Sequence, residues 1–418
     1  MRKAYATSQR VSTAGDFFEG IFRLAESVKG VHNSGVKIVC ASSVLFAREA
    51  FGTLGETVVV PDAAISPSDL KDADALIVRS KTLVNERLIE NTRLSFVGTA
   101  TAGTDHFDVD YLNHIPLAWC AAPGCNANSV AEYFATAALC LAHRKGFELA
   151  GKKVGVIGVG QVGSRVVQKA EFLGMTALRN DPPLQLATGD PLFLPLEQVL
   201  AEADLLTLHV PLENGGRHPT NQMANCKFFA GVKPGCFFVN ASRGEVVETD
   251  SLLYALEHGA VRYSVLDVWE NEPVISRALL NKTELGTPHI AGYSFEGRLN
   301  GTLAVYRELC HFLEVEPVWK PEEQLFPKAP EIKLDAQGLS DETALWEIVR
   351  QAYDIEKDDA ALRQGPTDSD AAWGMHFNSL RRNYASRREF SAIRIQLRHA
   401  GTELLEKTAA LGFQIAAF

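Results

Sequence analysis

Apolar residues gather along this chain in short runs. After each run they recur every three or four positions. Val36-Lys-Ile-Val-Cys-Ala41 opens the series, and Val58–Pro61, Ala75–Arg79 and Phe96–Gly98 continue it. Runs of this length read as buried strands and the spaced stretches as helices. Their alternation predicts a parallel sheet. A second series runs from Val154 to His289, with strands at Val154–Ile157, Leu205–Val210, Phe237–Asn240 and Ser264–Asp267. Between the two lies Asn128–Lys145, alanine-rich and small or apolar throughout. It predicts a buried helix, capped by Asn126 or Asn128, that crosses into the second domain. A helix near Glu296–Glu314 returns to the first domain, which makes that domain discontinuous.

The pattern then changes. Lys320–Leu339 is rich in proline and charge and reads as a linker. Beyond it, Glu342–Tyr353 and Ala371–Asn383 have helical spacing, with a polar loop at Gly365–Asp370 between them. Phe390–Leu397 alternates apolar and polar residues as a half-exposed strand does, Gly401–Leu411 is helical, and Phe413–Phe418 is a short strand. This is a small α+β module.

One turn is sharper than the rest. Lys153-Val-Gly-Val-Ile-Gly-Val-Gly-Gln-Val-Gly163 carries glycines at 158, 160 and 163 directly after a strand, and helical residues follow from Ser164 to Leu173. Asp181 stands 18 residues after the last glycine. Strand, GxGxxG, helix and terminal acid together are the dinucleotide fingerprint. The glycines allow a tight turn, close backbone approach to a pyrophosphate, and close packing of helix on strand. The helix N-terminus offers unpaired N–H groups to phosphates. The expected fold is α/β: two Rossmann-like doubly wound parallel sheets and a C-terminal α+β module. The domains are expected at 36–128 with 292–320, at 129–291, and at 330–418.

Composition narrows the function. The 418 residues carry a net charge of −10, with no basic stretch long enough to coat a nucleic-acid backbone. No apolar run approaches the ~18 residues of a membrane span. The seven cysteines are scattered, with no CxxC pair, so neither a zinc site nor a disulfide framework is indicated, and they read as buried thiols in a reducing cytoplasm. No metal site is expected. Residues 1–35 stand apart. Phe17, Ile21, Leu24 and Val28 have helical spacing, so the segment is either a docking helix or a poorly ordered extension without function.

Three segments end second-series strands with polar residues: Val239-Asn-Ala-Ser-Arg-Gly244, Leu266-Asp-Val-Trp-Glu-Asn-Glu-Pro273 and Thr287-Pro-His-Ile-Ala-Gly-Tyr-Ser294. Ligands of open α/β sheets bind at such ends. They supply Arg243, Glu272 and His289. That trio suits oxidation of a 2-hydroxy acid. Histidine takes the hydroxyl proton, a carboxylate on its other ring nitrogen fixes the tautomer, and a guanidinium grips the substrate carboxylate at two points.

On these segments the chain resembles the D-2-hydroxyacid dehydrogenase family. Further marks are Val78-Arg-Ser80, Gly98-Thr-Ala-Thr-Ala-Gly-Thr-Asp105, Ala122-Pro-Gly-Cys-Asn126 and Asp181-Pro-Pro. The C-terminal module, notably Asn383-Tyr-Ala-Ser-Arg-Arg-Glu389, is similar to that of one branch, which acts on a phosphorylated hydroxy acid. The resemblance implies NAD as cofactor, Arg243, Glu272 and His289 as catalytic residues, and His289 as the base. It implies cofactor contacts at Gly158, Gly160, Gln161, Val162, Gly163, Asp181, Asp267 and Gly292, and substrate contacts at Ser80, Thr101 and Tyr293. It implies a cytoplasmic homodimer joined through the C-terminal module. Two positions depart from the family: Val210 stands where a hydroxyl is usual, and Lys81 adds a charge beside Ser80. Arg381, Arg382, Arg387 and Arg388 read either as a solvated face or as a reach toward a partner subunit's substrate phosphate. Competing readings are a dehydrogenase of 3-phosphoglycerate or glyoxylate, and a dinucleotide-sensing binding protein.

Overall fold

The computed structural model describes residues 35–416, so the helical pattern at 17–28 lies outside the described residues. Two compact units divide it. One joins the residues up to Cys125 with Arg298–Leu325, and the other joins Asn126–Gly297 with the residues from Phe326 on.

In the first unit the apolar runs become β1 (Val36–Ala41), β2 (Gly55–Val60), β3 (Ala75–Val78), β4 (Phe96–Thr99) and β5 (Ala118–Cys120), all parallel, in the order β2-β1-β3-β4-β5. The short runs suit strands covered on both faces. β3 and β4 are buried at every position. The C-terminal half of the helix Phe295–Phe312 seals this core with Val305, Tyr306 and Leu309. The sequence pattern therefore finds four of these five strands and the returning helix; the three-residue β5 escaped it.

The second unit holds β6 (Lys153–Ile157), β7 (Thr176–Asn180), β8 (Leu205–Leu208), β9 (Cys236–Asn240), β10 (Val261–Leu266) and β11 (Leu285–Gly286). Their order is β11-β10-β9-β8-β6-β7, again all parallel. The chain reverses direction across the sheet between β6 and β8, which opens a crevice at their carboxyl ends. The helix after the glycine turn begins at Gln161, three residues earlier than its apolar pattern suggests. Helix Ala127–Lys145 is buried from Ala127 through Ala142, except at Asn128. Neither expected cap is made. The Asn126 side chain forms no cap bond, and Asn128 Nδ2 turns to the carboxylates of Glu132 (2.9 Å) and Glu389 (2.7 Å).

The C-terminal module differs most from the sequence reading. The stretch read as a linker contains β12 (Glu331–Asp335), which pairs in parallel with β13 (Arg394–Arg398), and β13 pairs with β14 (Gln414–Ile415). β13 starts later than expected because Phe390–Ala392 winds into a 3₁₀ turn. Helix Ile355–Arg363 lies between the two expected helices, Asp341–Ala352 and Asp370–Arg382. The module is not a satellite. Leu345, Trp346, Ile348, Val349, Phe390 and Leu411 share one continuous apolar core with Ala131, Phe134, Ala138 and Val166 of the second unit.

Candidate active site

Read along the second-unit sheet, the candidate residues occupy consecutive strand ends. Asp181 follows β7, the glycines follow β6, Val210 follows β8, Arg243 follows β9, Asp267 and Glu272 follow β10, and His289 follows β11. Strands lie about 4.8 Å apart, so five steps separate Asp181 from His289 by roughly 24 Å. The row fits an elongated ligand with its reactive end at the trio and its far end at Asp181.

The glycine turn is sterically specified. Gly158 has φ 84°, and a Cβ there would meet the His209 carbonyl oxygen at 2.7 Å. A Cβ at Gly163 would overlap the Gly158 carbonyl, so helix Gln161–Phe172 seats on the turn only without a side chain. Nothing lies within 4 Å of a Cβ built on Gly160, which leaves its backbone bare beside the first N–H groups of the helix at Gln161 and Val162. Such a turn is shaped to accept a pyrophosphate. Asp181 is anchored at its far side. Its Oδ2 accepts the Val159 N–H at 2.9 Å and its Oδ1 accepts the Leu184 N–H at 2.9 Å, capping the helix Pro182–Thr188. Arg179 is paired with Glu171 at 2.9 Å instead of facing Asp181. Beneath the crevice, burial pushes the His209 imidazole down to about 3, and its Nε2 meets the Thr207 hydroxyl at 2.9 Å.

At the other end, His289 Nδ1 and Glu272 Oε2 are 2.8 Å apart. Glu272 Oε1 accepts the Trp269 N–H at 3.0 Å, and Arg381 Nη1 stands 3.7 Å from Oε2. Burial by itself raises the Glu272 carboxyl. The facing His289, with Arg381 and the Trp269 N–H, outweighs burial and holds the group below the usual carboxylate range. His289 sits at φ 56°, a left-handed conformation that costs a non-glycine residue about 1 kcal/mol or more. The loop is held there by Asp267, 1% exposed, whose Oδ1 accepts the Thr287 hydroxyl and the Ile290 N–H (both 2.7 Å) and whose Oδ2 accepts the Ala291 N–H at 2.9 Å. Burial raises the Asp267 carboxyl despite these bonds and the nearby His289. Arg243 leaves β9 in extended backbone, and Gly244 behind it packs so closely on the Trp269 carbonyl that no Cβ fits. Asn126 lies against Gly292 in the same way. The Tyr293 ring, half-buried, faces Tyr384 with centroids 6.1 Å apart.

In the first unit, Ser80 is exposed just beyond β3, beside exposed Lys81. Thr101, just beyond β4, bonds the Thr99 hydroxyl at 2.7 Å and the Gly103 carbonyl at 2.9 Å. Both stand at carboxyl ends of their own sheet, where such sheets take ligands.

The C-terminal arginines do not form one solvated face: Arg382 is exposed, but the other three are not. Arg387 is 9% exposed and donates to the carbonyls of Ile290 (3.1 Å), Ala291 (2.5 Å) and Ser129 (3.1 Å). Arg388 bonds Glu296 at 2.5 Å, and Arg381 faces Glu272. These partners belong to the same subunit. Sequence reasoning singled out Arg381 and Arg387 but with another role, a reach toward a partner subunit's substrate phosphate, and it missed the contacts they make to Glu272 and to the Ile290 and Ala291 carbonyls, and also the Trp269 N–H that orients Glu272. Among the described residues no cluster of His, Cys, Asp and Glu is suited to a metal, and no helix is long and apolar enough to cross a membrane.

Residues 133–291 match the family model described as "D-isomer specific 2-hydroxyacid dehydrogenase, NAD binding domain", and residues 325–412 match a "Domain of unknown function (DUF3410)". The chain is 42% identical over 379 residues to the erythronate-4-phosphate dehydrogenase of Cronobacter sakazakii, covering 90% of this chain and 98% of that one. It is 41% identical to the erythronate-4-phosphate dehydrogenase of Yersinia enterocolitica, covering 90% and 99%. Among solved structures, the D-lactate dehydrogenase of Aquifex aeolicus, complexed with NAD and lactic acid, matches with a TM-score of 0.56 at 25% identity, over 66% of this chain and 95% of that one.

Proposed function

The chain belongs to the erythronate-4-phosphate dehydrogenases of the D-2-hydroxyacid dehydrogenase family, and from that premise we propose how its residues carry out the reaction. It is an NAD-dependent oxidoreductase acting on a CH–OH donor. The substrate is 4-phospho-D-erythronate, and the product is 2-oxo-3-hydroxy-4-phosphobutanoate, for pyridoxal 5′-phosphate biosynthesis. When bound, NAD takes up the hydride from carbon 2.

The observation that carries this reading is the Glu272–His289 pair at 2.8 Å, at the opposite end of the strand row from the glycine cradle. With Nδ1 given to Glu272, His289 uses Nε2 to take the carbon-2 hydroxyl proton. Glu272, held ionised, stabilises the imidazolium that forms. Arg243 grips the substrate carboxylate. Ser80, Thr101 and Tyr293 bind the rest of the substrate. Gly158, Gly160, Gln161, Val162 and Gly163 hold the pyrophosphate, Asp181 the adenosine ribose, and Asp267 and Gly292 the nicotinamide side. Asp267 does this while anchoring the His289 loop.

A homodimer is supported by the two open edges of the three-stranded sheet, β12 and β14, and by exposed Ile415 and Leu339 beside them. Light scattering after sizing tests it. A cytoplasmic location is supported by the seven free cysteines, five of them buried.

Turnover with a panel of D-2-hydroxy acids tests the substrate. 4-Phospho-D-erythronate should give the highest kcat/KM, and equal turnover of 3-phosphoglycerate would refute the assignment. His289→Asn should lower kcat about 10²–10⁴-fold while NADH still binds. Near-full turnover in that variant would show that the base lies elsewhere.

A further inference from the structure

The loop that carries His289 is gripped along both of its backbone edges. Its N–H groups at Ile290 and Ala291 go to Asp267. Its carbonyls at the same two residues go to Arg387, which belongs to the C-terminal domain. The same guanidinium ties this loop to helix Ala127–Lys145 through the Ser129 carbonyl, and its Cζ lies 4.2 Å from the centroid of the Tyr353 ring. The next step of the chain is held too. Ser294 bridges Arg387 backbone to backbone, and the Phe295 N–H donates to the Arg387 carbonyl at 2.8 Å. The other member of the pair has a support from the same domain, since Arg381, near the end of helix Asp370–Arg382, faces the Glu272 oxygen that meets His289 Nδ1.

We propose that the C-terminal domain is a working part of the active site in its own subunit, with Arg387 and Arg381 as positioning residues for His289 and Glu272. This rests on the reading of His289 as the base. Arg387 acts through geometry. Its two terminal nitrogens, held in one plane, serve three carbonyls, and a lysine ammonium does not reproduce that fork. A base displaced by about 1 Å loses on the order of 10²-fold in rate. Arg381 acts through charge. A cation 3.7 Å from Glu272 Oε2 competes with His289 for that carboxylate. The charged groups around this pair are Glu272, bonded to His289, and Asp267, near it, both from the end of β10, with Arg381 facing Glu272 and Arg387 holding the loop carbonyls from the C-terminal domain.

The test uses the full chain and three variants: Arg387→Lys, Arg381→Met and Arg381→Lys. Thermal midpoint, NADH affinity by fluorescence, and the pH profiles of kcat and kcat/KM are measured on each. Arg387→Lys should lower kcat about 10–100-fold, with NADH affinity changed less than about threefold. Arg381→Met should move the acid limb of kcat/KM to higher pH by about half to one unit, and Arg381→Lys, which keeps the charge, should restore it. A change in midpoint alone, with kcat and both profiles as in the parent, is what mere packing would give and would overturn the proposal. An unmoved acid limb in Arg381→Met would do the same. If Arg387→Lys does not fold, the Arg381 pair decides. His289→Asn serves as the control. If that variant keeps turnover, the base assignment itself falls, an outcome distinct from a failure of the arginines.

Discussion

Glu132 is the most revealing position at which to perturb stability. It lies inside helix Ala127–Lys145, 1% exposed. Its Oε1 accepts the Phe390 N–H at 3.0 Å and Asn128 Nδ2 at 2.9 Å, while Oε2 is buried without a partner. Burial, with the neighbouring Glu389 carboxylate, raises the Glu132 carboxyl from its ordinary value of 4.5 to about 8, against the pull of Lys169. The unfolded chain releases this proton near pH 4.5, and the folded chain keeps it until about pH 8. Between those values the unfolded state binds fewer protons, so this group makes the fold less stable as pH rises. Below pH 4.5 it has no such effect, and above about 8 the loss is complete. The full shift of about 3.5 units corresponds to at most ~5 kcal/mol. Coupling to Glu389 and local relaxation bring the expected effect to about 1–3 kcal/mol. Glu132→Gln keeps the accepting oxygen and replaces the orphaned one with an amide that has no proton to lose. Thermal unfolding of parent and variant should coincide within about 1 °C at pH 5, and the variant should melt ~2–6 °C higher at pH 8.5. An equal difference at both pH values, or a parent that gains stability from pH 5 to 8.5 relative to the variant, would refute the reasoning.

Three further outcomes are expected. Asp181→Asn should narrow the NAD-to-NADP ratio of kcat/KM by about tenfold or more, because a 2′-phosphate at ~4 Å from the carboxylate costs about 4 kcal/mol at an effective dielectric of ~20. An unchanged ratio would remove Asp181 from cofactor selection. Gly163→Ala puts a methyl into the Gly158 carbonyl, so it should cost about 1–3 kcal/mol of stability and weaken NADH binding at least tenfold. Unaltered binding, read by fluorescence titration, would show that the turn is looser than its geometry. Arg243→Lys should lower kcat/KM about 10–100-fold, since an ammonium cannot make the planar two-point contact. Parent-like kinetics would assign the carboxylate to another residue.

The cofactor half of the site was legible in the chain because its signals are local. A four-residue apolar run, three glycines and an acid lie within one βαβ unit; Gly158 and Gly163 each answer to a clash that the structure shows, and Gly160 stands in open space. The trio Arg243, Glu272 and His289 was legible as three strand ends, since strands and their polar exits are adjacent in sequence. What stayed hidden depends on contacts across long separations. Nothing in Arg381–Glu389 distinguishes Arg387, buried against carbonyls nearly a hundred residues away, from exposed Arg382. β12 was overlooked because its two apolar residues, Ile332 and Leu334, sit in a proline- and charge-rich stretch, although their alternation was there to be read. Helix Ile355–Arg363 is mostly charged and alanine, so its pattern is weak. It forms because Ile355 and Leu362 are buried by tertiary packing. Asn126 failed as a cap for a similar reason. Its side chain fills the space that a Cβ at Gly292 would take, a neighbour that the sequence cannot bring near it.

The position of Arg387 in the chain has a bearing on how the molecule is made. It is polymerised 97 residues after Ile290, whose carbonyl it holds. At about 5–20 residues per second, the ribosome needs roughly 5–20 s to deliver it once the histidine loop has been synthesised. In that interval the nascent chain has all of its dinucleotide cradle and every member of its chemical trio. It lacks the clamp on the loop carbonyls and the Phe390 N–H that meets Glu132. The order of translation thus delivers the clamp last, and a chain broken off by premature termination lacks both it and the C-terminal share of the apolar core around helix Ala127–Lys145.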